Sequence, residues 1–440
     1  MPPIRLATAS PATAPTTSQS LSDIASLAHR ASSSNADLLL LPEAYLGAGY
    51  PRGASFGSKI GSRAPEGRDE FLAYFNAAID LGDTVGDAGA GGGDKWVKKQ
   101  LPAQHDAAGA KIKRGDGSRE ELEKIAAQTG VFLVVGCIER AGGSLYCAVV
   151  YVCPKLGMIG KRRKVMPVRP PPLISHSNDC STIATNNHTR TTTQKTATER
   201  LIWAQGSPAT LRAVSTTIKG VRINLAAAIC WESYMPLLRQ SLYAQNINLY
   251  LAPTADGRDT WLPLMRTVAC EGRCFVVSSN MAARPLATTS SSAPATSSST
   301  TKTTPAQNSN NNDSGIEDAE DAQIYPPRAR RNSCLTEDGN EIALPGNSIS
   351  TNGTTTAPKT SKPALKSEDW VSRGGSSIVG PFGDVLAGPQ WEDDEGIIYA
   401  DVDFEDCIRG RLDIDVGGSY SRNDSFKFSV EGLDLDPLPY

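Results

Sequence analysis

Cys230 ends the apolar run of "LAAAICWESY" (225–234), and a thiol at the end of a buried strand is a candidate nucleophile. A free thiol has a pKa of about 8.5 and reacts as the thiolate, so a neighbour must favour or accept loss of its proton. Histidine is the usual helper, yet none of the four in this chain is well placed. His29 lies off the apolar stripe of the first helix, His105 falls in a Gly/Ala-rich stretch, and His176 and His188 share one insertion-like segment. The remaining candidates are a carboxylate and an ammonium at other strand ends. Glu43 follows "DLLLLP", where Pro42 keeps Leu41 extended, so the glutamate emerges where a buried strand meets its loop. Desolvation there raises a carboxyl pKa toward the range of a general base. Lys164 closes the strand-like "GMIGKRRK". Viewed singly, Glu43 reads as an ordinary loop or cap glutamate, and Lys164 reads better as a solvated lysine in a basic run.

The elements that must position these groups alternate along the chain. Leu21, Ile24, Ala25, Ala28 and Ala31 recur at helical spacing before a buried strand over 36–41. A helix is predicted over 118–128, with Ser118 and Glu121 as a capping box and Gly130 as its stop. "VFLVVGCIE" and "SLYCAVVYVC" read as strands joined by a Gly142-Gly143 turn. Further strands are predicted at 221–229, 247–252, 273–279, 375–380 and 396–402, with helices near 235–245 and 259–271. This alternation, with hairpins mixed in, predicts the α/β class. Three stretches break it: the Gly/Ala-rich 82–117, the odd 168–195, and the Ser/Thr/Pro/Asn-rich 286–369, whose composition predicts disorder. The expectation is one domain over 1–426 carrying these insertions, followed by a tail at 427–440.

Composition excludes several classes. A formal net charge of -3 over 440 residues gives no reason to expect nucleic acid or an anionic membrane as partner. No basic segment leads into an apolar stretch at the N-terminus, and no apolar run spans a bilayer, so a soluble, cytoplasmic protein is expected. Nine scattered cysteines without a CxxC pair argue against both a disulfide framework and a zinc site. The run Lys161-Arg162-Arg163-Lys164 mimics a nuclear address, but its apolar neighbours make a strand the better reading.

Taken together and in order, "LLLLPEAYLGAGYPRG", "GKRRKVMP", "TERLIWAQG", "ICWESYMPLL", "APTADGRDTW", "EGRCFVVSSN" and "GGSSIVGPFGDVLAGP" resemble the nitrilase branch of the carbon-nitrogen hydrolase superfamily. The resemblance runs from about residue 4 to residue 426, insertions aside. It implies a four-layer α-β-β-α sandwich whose subunits pair through helices, forming dimers or larger spirals. It also implies Cys230 as nucleophile, Glu43 as general base, Lys164 as the cation facing the reacting nitrogen, and Glu199 as an additional glutamate beside the lysine. Trp231 and Tyr50 become candidates to line the substrate pocket, with Tyr45 a third aromatic nearby. The implied reaction converts a small nitrile to a carboxylic acid and ammonia through a thioimidate and a thioester, with neither metal nor organic cofactor.

Departures from the family pattern fall at Ser233, Thr267, the "GSY" of 418–420 and the turn after Glu43, which carries one extra residue. Deleting 168–195 joins "KVMP" to "TATERLIW" and restores the family's Pro-Thr step, so the segment reads as a retained intron or other gene-model error. Left in place, it threatens to displace Lys164 or Glu199. An amidase, a carbamoylase, or a nitrile or cyanide hydratase would use the same Glu-Lys-Cys groups. An inactive scaffold protein with 286–369 as its docking segment is a reading of a different class.

Overall fold

A computed structural model describes residues 2–51, 60, 63–83, 115–167, 199–284 and 370–440, and the backbone of 333–335 and 341–343. The insertion expected at 168–195, and most of those at 82–117 and 286–369, therefore lie outside the described residues. The chain divides into two compact units, 1–286 with 366–440, and 287–365.

In the first unit the elements begin β1 (Ile4–Ala9), α1 (Thr17–Ser33), β2 (Leu38–Leu40), α2 (Pro65–Ala77), α3 (Ser118–Thr129), β3 (Phe132–Ala141), β4 (Ser144–Cys153) and β5 (Gly157–Arg163). They continue with α4 (Glu199–Ile202), β6 (Val214–Ile218), β7 (Val221–Ala227), α5 (Pro236–Tyr243), β8 (Leu249–Thr254), α6 (Trp261–Gly272), β9 (Phe275–Asn280) and β10 (Ala282–Ala283). The second unit's described backbone is the hairpin of β11 (Ser333–Leu335) and β12 (Glu341–Ala343). The first unit closes with β13 (Ser372–Val379), β14 (Val385–Trp391), β15 (Ile397–Val402) and α7 (Glu405–Gly410).

Two sheets organise the first unit. One runs β15-β1-β2-β3-β4-β5, and the other runs β10-β13-β9-β8-β7-β6 with β14 beside β13. Alternation along each strand decides what the two faces meet. Leu38 and Leu40 join Phe132, Val134, Leu225, Leu251 and Val277 in a core between the sheets. Leu39 and Leu41 point the other way, onto Ile24, Leu27 and Ala28 of α1 and Leu122 and Ile125 of α3. On the far side of the second sheet, Tyr250, Ala252 and Val276 pack against Leu242 of α5 and Met265 and Val268 of α6. The order is helix, sheet, sheet, helix: the four-layer α-β-β-α sandwich. Both faces of the central strands are buried, which is why they read as unbroken apolar runs.

Local expectations fare differently. The two-residue turn holds, with Ala141 opposite Ser144 and Gly142 at a φ of 56°. Gly130 ends α3 at a φ of 74°. The Ser118–Glu121 capping box is not formed. Gly117, at a φ of 92°, takes the cap position, Ser118 becomes the first helical residue, and its N–H donates to Asp116 Oδ1 at 2.9 Å. Residues 427–440 do not hang free: Leu438 N–H donates to the Gln245 carbonyl at 3.1 Å, and Leu433 is buried. Among the described residues no helix is long and apolar enough to cross a membrane.

Candidate active site

Strand β7 delivers Cys230 into the interior. Beyond Ala227 the chain leaves the sheet and turns at once into a short 3-10 helix, Cys230–Tyr234. Cys230 itself has a φ of 58°, a left-handed conformation that costs a non-glycine residue on the order of 1–3 kcal/mol and needs support from its surroundings. Thr254, at the end of the neighbouring strand β8, donates its hydroxyl to the Cys230 sulfur at 3.2 Å. The Ala255 backbone amide donates to the same sulfur.

Glu43 reaches this sulfur from the other sheet. Past β2 the ladder persists through Leu41 N–H to Val134 O at 2.9 Å and resumes at Leu46 N–H to Gly136 O at 3.0 Å, so the Pro42–Glu43 step is pinned against β3. Lys164 follows β5 directly; its N–H donates to Cys147 O at 2.7 Å, and its carbonyl accepts from Gly206 at 2.8 Å. The Lys164 Nζ donates to Glu43 Oε1 and to Glu199 Oε2, both at 2.8 Å. Glu199 opens α4, and its other oxygen accepts the Tyr50 hydroxyl at 2.8 Å. The Cys147 thiol donates to Glu43 Oε1 at 3.6 Å. Glu43 Oε2 has no conventional hydrogen bond among the described residues.

Burial governs the electrostatics. Desolvation pushes the Glu43 carboxyl up, and Glu199 adds to the rise, while Lys164 and the Cys230 thiol favour the charged form. Desolvation also pushes the Cys230 thiol well above its ordinary value; Glu43 raises it further, and Lys164 opposes. For Lys164, burial works against the ammonium, yet Glu199 and Glu43 hold it well above the usual lysine value. The arrangement is thus a buried thiol facing a chain of Glu43, Lys164 and Glu199 joined by hydrogen bonds.

Glu43, Lys164, Cys230, Glu199 and Tyr50 are brought together as the sequence suggests, and Lys164 and Glu199 touch despite the segment between them. Trp231, half-buried, lies beneath the Arg258 guanidinium at 4.5 Å, and Arg258 is itself paired with Asp256 at 2.8 Å. Tyr45 is not part of the site: it packs on the outer face of the first sheet, against the α1 layer. The basic run is no exposed address. Lys161 pairs with Asp83 at 2.6 Å, Arg163 with Glu139 at 2.8 Å and Arg162 with Glu232 at 2.5 Å, all buried. His29, on the exposed face of α1, is the one histidine among the described residues. Groups of three or more His, Cys, Asp or Glu side chains able to hold a metal ion are absent among the described residues.

Sequence reasoning passed over Thr254, Cys147 and Glu232. Only Glu232 carried a local signal, as a glutamate two residues beyond the thiol at the end of an apolar strand.

The family model for carbon-nitrogen hydrolases matches residues 4–411. A nitrilase of Bradyrhizobium diazoefficiens is 33% identical over 408 residues, spanning 92% of this chain and 85% of that protein. An arylacetonitrilase of Trametes versicolor is 32% identical over 402 residues, spanning 90% and 86%. The crystal structure of a carbon-nitrogen hydrolase from Helicobacter pylori G27 superposes with a TM-score of 0.51 at 12% identity, covering 96% of this chain and 97% of that one.

Proposed function

The chain belongs to the carbon-nitrogen hydrolase family, and from that premise we propose that it is a nitrilase, hydrolysing an organic nitrile to the carboxylic acid and ammonia. The observation that carries the reading is the buried relay of Glu43, Lys164 and Glu199, joined by two contacts of 2.8 Å and facing the Cys230 thiol.

Glu43 takes the thiol proton as the Cys230 sulfur bonds to the nitrile carbon. One C–N π bond becomes a nitrogen lone pair, which the Lys164 ammonium and the Trp231 backbone N–H stabilise and to which Glu43 passes on the thiol proton, giving a thioimidate and restoring the carboxylate. A water molecule, losing its proton to Glu43 with Glu199 assisting through Lys164, adds to that carbon. The tetrahedral adduct expels the nitrogen as ammonia and leaves a thioester. A second water, activated in the same way, releases the acid and restores the thiol. These steps use one nitrile and two waters and call on no metal or organic cofactor. Tyr50 and Trp231 belong to the walls around the substrate.

The same reading makes the protein cytoplasmic and a homo-oligomer, the assembly being supported by Leu237 on α5 and Ile408 on α7, which stand exposed on helical surfaces. Light scattering on purified protein measures the subunit number.

The test is ammonia release and product chromatography on a panel of small nitriles and amides. Acid and ammonia in equal amounts are expected from nitriles. Amide without ammonia would make the protein a hydratase, and acid from amides alone would make it an amidase. Cys230→Ala is expected to abolish turnover with the fold intact, and appreciable remaining activity would refute the assignment.

A further inference from the structure

Glu232 is fully buried in the turn that follows Cys230, and every hydrogen bond its carboxylate accepts comes from one of two strand ends. Its Oε1 accepts from the backbone amides of Val165 at 2.6 Å and Met166 at 3.2 Å, the two residues after Lys164. Its Oε2 accepts from the backbone amide of Ile229 at 2.7 Å, the residue before Cys230, and from Arg162 Nη2 at 2.5 Å. Arg162, two residues before Lys164, also donates to the Ala227 carbonyl at the end of β7. One carboxylate therefore ties the strand end that carries the ammonium to the strand end that carries the thiol.

We infer that Glu232 is a positioning residue that sets the spacing between Lys164 and Cys230, an inference whose kinetic part rests on the nitrilase reading. The chemistry of the site demands a carboxylate. Each oxygen faces two donors, and an ionised carboxyl group is all acceptor. A glutamine of the same shape has one acceptor oxygen, so its amide nitrogen must oppose either the Val165 and Met166 amides or the Ile229 amide and Arg162. In both orientations buried donors lose their partner, and one strand end is pushed off the other. Displacement of a reacting group by about 1 Å costs on the order of 100-fold in rate.

The experiment compares wild type, Glu232→Gln and Cys230→Ala. Nitrile turnover is measured together with the pH profile of iodoacetamide alkylation at Cys230, followed by mass spectrometry of the peptide that carries it. Folded Glu232→Gln is expected to lose about 100-fold in kcat with KM little changed. Its alkylation profile is expected to shift to higher pH as the Lys164 ammonium moves away from the sulfur. Loss of a negative charge alone would shift it to lower pH, so the sign separates displacement from simple charge removal. Wild-type kcat, or an alkylation profile unmoved or shifted downward, would overturn the inference. Alkylation needs no turnover: a wild-type protein inert toward nitriles would defeat the nitrilase reading and leave this test of Glu232 standing. Should Glu232→Gln not fold, Arg162→Gln keeps a neutral donor and the three amide bonds; about a 10-fold loss of kcat is expected of it, and an unchanged kcat would overturn the inference equally.

Discussion

At Cys230 the surroundings oppose the very ionisation that the chemistry needs. Burial and the Glu43 charge both raise the thiol, and Lys164 alone among the larger influences lowers it. Under the proposed nitrilase reading there is then no standing thiolate of the papain type, and the base takes the proton as the carbon is attacked. That assigns the pH dependence to Glu43. Its carboxyl is raised by burial, and below its raised pKa it is protonated and unable to accept the thiol proton. The rate must accordingly fall as pH falls through that value, which lies above the ordinary glutamate pKa of about 4.3. On the alkaline side no gain is expected near pH 8.5, the ordinary thiol range, because Cys230 titrates well above it. A profile of kcat/KM against pH checks both limbs. An acid limb at or below the ordinary glutamate value, or a rise centred on the free-thiol value, would contradict this account.

Among the elements, β3 is the one that sets where Glu43 stands. Gly136 passes directly under the Pro42–Glu43 step: a Cβ there would overlap the Pro42 carbonyl and come within 2.9 Å of the Glu43 Cα. Both are backbone atoms and cannot step aside as a side chain would. Gly136→Ala is expected to destabilise by about 1–3 kcal/mol, the usual range for overpacking, and to depress kcat further by moving the base. Denaturant unfolding and steady-state kinetics separate the two effects, and a variant with both values unchanged would show that β3 does not set the position of Glu43. Much of this scaffold was legible from residue patterns. Strands buried on both faces announce themselves as runs such as Leu38–Leu41, and α3 carries a stripe with a glycine stop. Elements without such a signature were not legible. Strand β1 mixes small and polar residues in "IRLATA", α2 buries only Gly67, and β6 and β14 lie at sheet edges with mixed burial. The site divides along the same line. Glu43, Lys164 and Cys230 stand at element ends that the pattern marks, whereas Thr254 and Cys147 meet the site only through the register in which β8 pairs with β7 and β4 with β3 and β5.

For the molecule as a whole, the segment 168–195 interrupts the chain between two members of the relay, whose contact is made by the described residues on either side of it. The flanks are fastened to each other: Arg200 Nε donates to the Pro167 carbonyl at 2.7 Å, Gln205 Nε2 to the Val165 carbonyl at 3.3 Å, and the Gly206 amide to Lys164 at 2.8 Å. Removing 168–195 leaves Thr196, Ala197 and Thr198 to connect Pro167 to Glu199. Three linking residues span up to about 13 Å when extended, ample for two positions whose neighbours already share a hydrogen bond. Closing the shorter connection costs less entropy, by ~2 kcal/mol. The deletion variant is thus expected to fold with a raised Tm and to keep the Lys164–Glu199 contact. Its kcat and KM on a reactive nitrile should match those of the full chain. A folded deletion protein that has lost turnover would instead make the segment part of the working site. Sequencing of the mature transcript bears on the same point from the other side, because codons spliced out of the message would make the shorter chain the protein that cells contain.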